Sequence, residues 1–174
     1  MPLSSDDIRR GFIALEQELG RRGDRAEIVI AGGAALVLLF NARQTTKDVD
    51  AYFIRPEASR VRAAAGNVAQ ELGLPEDWLN DSAKGYFVGV SDGELLHESA
   101  ALIVRAVSTA QLLAMKLAAW RDAIDRGDAR LLLSQMSGSA EEIWTRVAPF
   151  VPPHQLDKAS YAFDDLWESI HGSS

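Results

Sequence analysis

Asp48 and Asp50 stand one residue apart in the stretch Thr45-Thr46-Lys47-Asp48-Val49-Asp50-Ala51-Tyr52-Phe53. In a β-strand alternate side chains share a face, so this spacing sends both carboxylates to one side and Val49, Ala51 and Phe53 to the other. Two ionised carboxylates in one small volume repel, and a shared proton, a divalent cation or exposure to water relieves them. Hard oxygen donors of this kind suit magnesium, provided that phosphates are held beside them. A cradle for phosphates stands just upstream. Glu27-Ile28-Val29-Ile30-Ala31 reads as a short apolar strand, Gly32-Gly33 as a tight turn, and Ala34-Ala35-Leu36-Val37-Leu38-Leu39-Phe40 as the start of a helix. The turn then lies at a helix N-terminus, where glycine lets an anion approach the backbone and the first N–H groups and the helix dipole favour it. Taken alone, strand-Gly-Gly-helix serves packing as readily as phosphate binding.

Gly32-Gly33, fourteen further residues and then Asp48-Val49-Asp50 resemble the signature of the nucleotidyltransferase superfamily that shares the DNA polymerase β fold. The closer resemblance is to its bacterial abortive-infection and toxin–antitoxin branch. It rests on Gly32-Gly33-Ala34-Ala35-Leu36, on Arg43 and Thr46 ahead of the aspartates, and on Leu112-Leu113-Ala114-Met115-Lys116-Leu117, and runs from about residue 26 to residue 133. The resemblance implies that Asp48 and Asp50 are catalytic and hold magnesium or manganese over a nucleoside triphosphate. It implies that Gly32, Gly33 and Thr46 bind the nucleotide and that Lys116 is a catalytic cation aimed at phosphate or at the aspartates. The implied activity is transfer of NMP from an NTP to an RNA, a protein or a small-molecule acceptor, with a cognate antitoxin-like protein as a partner. Such chemistry needs position and charge more than covalent work, because a metal bridging phosphate oxygens neutralises the charge that develops as the α-phosphate is attacked.

Family members that catalyse transfer usually carry a third acid on a later strand. The obvious later strand here, Ala101-Leu102-Ile103-Val104-Arg105-Ala106-Val107, has no carboxylate and carries Arg105. Asp92, Glu94 and Glu98 lie in or beside a turn-like, Gly-containing stretch that alternation does not place. The acceptor's general base is therefore unidentified. The alternative reading is a catalytically degenerate protein of the same fold, a nucleotide- or partner-binding module. In a third, the two aspartates are solvated at a strand end and the protein is structural or regulatory.

Lys116 is the one charge in the middle of Thr109 to Asp122, where apolar residues fill more than one helical face and a buried helix is expected. Its stem either snorkels to water or carries the ammonium to a site. Farther on, Arg121 with Asp125, and Asp122 with Arg126, are spaced for i,i+4 pairs on a helix surface, leaving Arg121 and Asp128 as secondary site candidates. Trp144, Tyr161, Phe163 and Trp167 read as helix-packing aromatics. His97, His154 and His171 have no ligand spacing and receive no role. Neither a Gly-x-Ser-x-Gly nor a Walker-type Gly-Lys-Ser/Thr occurs.

The elements that must position these residues suggest an α/β (α+β) fold, a small mixed sheet of nucleotidyltransferase type flanked by helices. A first helix capped by Ser5-Asp6-Asp7 runs to about Gly20, and the aspartate strand reaches Ile54. A helix starts at Pro56 and closes at Gly73-Leu74-Pro75. An irregular stretch from Trp78 precedes a short strand near Val88. Leu102 to Val107 is the last strand, and the rest is helical, with breaks at Ser137-Gly138-Ser139 and from Pro149 to Pro153. Residues 1–108 form the α/β core and 109–174 a helical C-terminal region packed on it, as two domains or as one. A 47% hydrophobic and 25% charged composition suits such a globular chain. With no cysteine there is neither a disulfide framework nor a thiolate metal site. The N-terminus lacks the blocks of a secretory signal and no apolar run spans a bilayer, so the expectation is a cytoplasmic protein with no membrane association. A net charge of −7 argues against bulk binding of duplex DNA, although a transient RNA or nucleotide substrate is compatible with it. Arg21, Arg22, Arg25, Arg55, Arg60 and Arg62 read as solvated helix and loop charges.

Overall fold

The computed structural model describes residues 1–172, in two compact units: Met1–Gly85 with Asp92–Val107, and Tyr86–Ser91 with the chain from Ser108 onward. In the first unit a two-residue strand, β1 (Leu3–Ser4), leads into α1 (Ser5–Arg22). Ser4, one residue ahead of the expected cap, starts this helix. Its hydroxyl accepts the Asp7 N–H at 3.1 Å, while the Asp7 carboxylate accepts the Ser4 N–H at 2.9 Å, so two otherwise unpaired donors are satisfied reciprocally. The helix continues through Gly20 to a left-handed Gly23.

The strand β2 (Ala26–Ala31) follows, with Ile28, Val29, Ile30 and Ala31 all at most 2% exposed. It is covered on both faces, which is why it reads as a continuous apolar run rather than an alternating one. After it come α2 (Gly32–Phe40), β3 (Thr45–Thr46), β4 (Val49–Arg55), α3 (Ala58–Leu72), β5 (Leu79–Asn80), β6 (Leu95–Glu98) and β7 (Leu102–Ala106). β1 and β3 form a small antiparallel ladder; the other strands make one mixed sheet in the order β5-β4-β2-β7-β6. β2 runs antiparallel to β4 and parallel to β7, so the end of β2, the start of β4 and the end of β7 meet at one end of the sheet.

Three local expectations change. α3 begins two residues beyond Pro56. The short strand expected near Val88 is replaced by an earlier one, β5, and Lys84–Tyr86 forms a 3-10 turn instead. β6 was not legible, because Leu95-Leu96-His97-Glu98 does not alternate and its pairing shifts register between Leu95 and His97. The core beneath the sheet comes from α1 and α3: Ile8, Phe12, Leu15, Val61, Ala64 and Val68 are at most 2% exposed. Each large apolar side chain buried this way contributes roughly 1.5–3 kcal/mol. Trp78 is the largest of the fully buried group, and its indole N–H donates to the Ala65 carbonyl at 3.0 Å, so its polar atom is satisfied inside the core.

The second unit contains α4 (Thr109–Ala119), α5 (Ala123–Ser134), α6 (Ala140–Val147) and α7 (Leu156–His171), with short 3-10 turns at Ala148–Phe150 and Pro153–Gln155. The breaks expected near Gly138 and Pro149 to Pro153 are present. A further one interrupts the helix expected to run to Asp122. Trp120 takes a left-handed φ of 37°, and Asp122 caps α5 by accepting the Asp125 N–H at 3.0 Å. Asp122 is thereby drawn away from the expected pair with Arg126, which lies over the Trp120 ring at 5.5 Å. Trp144, Phe163 and Trp167 pack with tilted rings, their centroids 5.4 and 6.1 Å apart in turn, as a packing set would, while Tyr161 is 73% exposed. Among the described residues no helix is long and apolar enough to cross a membrane.

Candidate active site

Alternation operates at the aspartates. Val49 and Ala51 are fully buried, whereas Asp48, immediately before β4, and Asp50, within it, are half-buried on the other side. Asn80 ties the two acids together. It stands across from Asp50 in the β4–β5 register, and its side-chain amide donates to Asp48 Oδ2 at 3.2 Å. The amide is itself held, because its nitrogen also donates to the Asp77 carbonyl at 3.0 Å while its oxygen accepts from both the N–H and the hydroxyl of Ser82. The neighbouring Trp78 carbonyl accepts the Val49 N–H at 2.7 Å, so the buried indole anchors the strap that carries Asn80. Sequence reasoning missed Asn80, which lay in a stretch read as irregular; only the register of β5 on β4 brings it to the site.

The glycine turn is pressed against the same acids. Asp50 pairs with Ala31, and a Cβ added to Gly32 would stand 2.8 Å from Asp50 Oδ2. Gly32 also has a φ of +67°, which side chains other than glycine rarely adopt. A Cβ on Gly33 would stand 2.6 Å from Thr46 Oγ1 and 3.9 Å from the guanidinium carbon of Arg43. Thr46 in turn places its hydroxyl 3.4 Å from the Asp48 carbonyl. Gly32, Gly33, Thr46, Asp48 and Asp50, spread over the sequence, therefore converge, with Arg43 beside the turn. Ala31 offers α2 no side-chain cap and the first turn of the helix holds no acid of its own, so the acid at its positive end comes from Asp50 on β4.

The donor set fits a magnesium-type ion. Mg2+ is commonly bound through one or two carboxylates, with water and substrate phosphate oxygens completing the octahedron. Two half-buried carboxylates beside the glycine turn fit that description, and because the Asn80 oxygen is taken by Ser82, Asp48 and Asp50 are the residues that could hold such an ion. Among the described residues no group of three or more His, Asp or Glu side chains gathers to hold a metal. The Glu94 carbonyl accepts the Ala106 N–H, which by alternation puts the Glu94 side chain on the face opposite Arg105. Glu98 pairs with Ile103, farther from the aspartates.

Lys116 and the secondary candidates form a cluster in the second unit. The Lys116 ammonium lies 3.2 Å from Asp125 Oδ1 and 2.8 Å from Asp128 Oδ2, with its side chain only 13% exposed, so it does not snorkel into water. Arg121 pairs with Asp125 through Nε at 3.0 Å and its backbone N–H at 2.9 Å, but from the break between α4 and α5 onto a buried carboxylate rather than along a helix surface. Burial works against the Asp125 charge, but Arg121 and Lys116 outweigh it and bring its pKa down to about 2.

The family model described as a nucleotidyltransferase of unknown function (DUF6036) matches residues 11–123. The chain belongs to that family. The match takes in the glycine turn, both aspartates, Asn80, Arg105 and Lys116, and ends before Asp125 and Asp128. No curated protein and no solved structure gives a match. For a nucleotidyltransferase the arrangement is economical: a turn suited to phosphates and a carboxylate pair suited to a cation share one end of a sheet, held by strand pairing rather than by loops.

Proposed function

We propose that this nucleotidyltransferase is a metal-dependent enzyme that transfers NMP from an NTP to an RNA, protein or small-molecule hydroxyl. The observation that carries the reading is the close approach of Asp50 to Gly32, which brings a hard oxygen donor against the glycine turn that opens α2. In this account Asp48 and Asp50 hold Mg2+ or Mn2+, and the bound ion supplies neutralisation of the phosphate charge. Gly32 and Gly33 seat the phosphates on the first N–H groups of α2, Thr46 lines the turn, and Asn80 keeps Asp48 aimed. The acceptor oxygen forms a bond to the α-phosphorus and the α–β bridging bond breaks. Pyrophosphate leaves with its electron pair, and the hydroxyl proton passes to water. Lys116, whose ammonium Asp125 and Asp128 hold, is proposed as a cation for phosphate, and an antitoxin-like protein as a partner.

A second reading, a binding module that holds nucleotide without transferring it, is favoured by Arg105 on the strand where an acid is expected. One experiment separates them. Purified protein is incubated with each labelled NTP and Mg2+ or Mn2+, with cellular RNA and protein as acceptors, beside Asp48→Ala and Asp50→Ala. Transfer abolished in both variants supports the enzyme; metal-dependent NTP binding without transfer supports the module; neither removes both.

A further inference from the structure

A guanidinium that no carboxylate neutralises, on an arginine whose residue is half-buried, is available to take an anionic ligand. Arg105 is such a residue. Among the described residues every arginine engages a neighbour except Arg25, which is exposed, and Arg105, which is half-buried. Its neighbours across the sheet are Val29 on β2 and Leu95 on β6, both apolar. Glu27 and Glu98 stand across from Ile103 on the same face, yet neither closes on Arg105, and Glu27 takes Arg55 at 3.0 Å instead.

The face is the one that carries the acids. Arg105 pairs with Val29, Val29 pairs with Tyr52, and Tyr52 lies two residues beyond Asp50, so Arg105 and Asp50 project from the same side. Two strand spacings across and two residues along put their Cα atoms about 12 Å apart, a gap that a long arginine and a substrate phosphate bridge together. We propose that Arg105 is an anion subsite that receives a phosphate group, either of the donor triphosphate or of the acceptor. The guanidinium is permanently charged and presents a planar fork that matches phosphate oxygens. The subsite takes its setting from the nucleotidyltransferase reading but does not depend on a metal.

The test titrates wild type, Arg105→Met, Arg105→Lys and Asp48→Ala by calorimetry with two probes, magnesium tripolyphosphate and a 5′-phosphorylated oligoribonucleotide, and follows thermal unfolding of each variant. Arg105→Met is expected to lose about tenfold in affinity for one probe, as removal of a charge-assisted hydrogen bond does, with partial recovery in Arg105→Lys. The probe affected identifies the source of the phosphate. The unfolding temperature of Arg105→Met stays level or rises, because an unpaired charge has left a half-buried position. The proposal is overturned if Arg105→Met binds both probes within about twofold of wild type, the range ordinary for a surface change, or if its only effect is a lower unfolding temperature, which marks a packing role. Wild type binding neither probe removes the subsite together with the enzyme reading. Tripolyphosphate binding lost in Arg105→Met but intact in Asp48→Ala leaves the subsite standing and removes the metal-phosphate reading.

Discussion

Substituting Gly32 with alanine strikes the point where turn and carboxylate meet. Two effects add. The residue sits at φ +67°, where a side chain costs roughly 1–2 kcal/mol against its own backbone. The new Cβ would also stand 2.8 Å from Asp50 Oδ2, closer than two such atoms remain. The cheap escape is rotation of the Asp50 carboxylate, since a side chain moves more easily than a central strand. Stability therefore falls by about the backbone strain alone, which for a chain of this size lowers the unfolding temperature by roughly 2–8 °C. Function is expected to fall much further, because the rotated carboxylate leaves the proposed ion site. The assays are thermal unfolding beside Mn2+ binding followed by electron paramagnetic resonance, with nucleotidyl transfer as a third readout. A Gly32→Ala protein that unfolds at the wild-type temperature and binds Mn2+ with unchanged affinity would refute the reasoning, since it would mean that neither the strain nor the contact exists.

Asn80→Ala removes the amide that aims Asp48, and Mn2+ affinity is expected to fall about tenfold or more, as for other partners of metal ligands; an unchanged affinity shows that Asp48 needs no such support. The Asp125 cluster predicts an acid-sensitive stability. Its folded pKa of about 2 lies below the ordinary 3.8, so its contribution is complete above pH 3.8 and is lost as pH falls through 2. The gap of nearly two pH units corresponds to about 2 kcal/mol. Asp125→Asn should thus be less stable than wild type by about that amount at pH 7 and nearly equal to it at pH 2, measured by urea denaturation. The same deficit at both pH values contradicts the assigned cause.

What could be read from the sequence was what local spacing fixes. Asp48 and Asp50 share a face because the strand period is two, and Gly32-Gly33 opens a helix because an apolar strand and an apolar helix flank it. The pressing of Asp50 against Gly32 was legible only as an expectation, since fourteen residues separate Gly33 from Asp48 and their pairing belongs to the sheet. Asn80 and the face of Arg105 were illegible for the same reason. Each depends on a register between strands distant in the chain, and β5 contributes only two residues to advertise it. The stop at Trp120 had no warning either, because the left-handed position that usually announces itself with glycine is occupied here by tryptophan. Ser4 and Ser5 are equally good caps by type. The carboxylate of Asp7, three residues beyond Ser4, decides between them.

The central claim is that Asp48 and Asp50 together hold a divalent cation beside the glycine turn. Anomalous diffraction from crystals grown with Mn2+ and a non-hydrolysable NTP tests it most directly. A manganese peak is expected within about 2.3 Å of an oxygen from each carboxylate, with the triphosphate on the Gly32-Gly33 backbone. A manganese peak elsewhere, or nucleotide bound away from that turn, would contradict it.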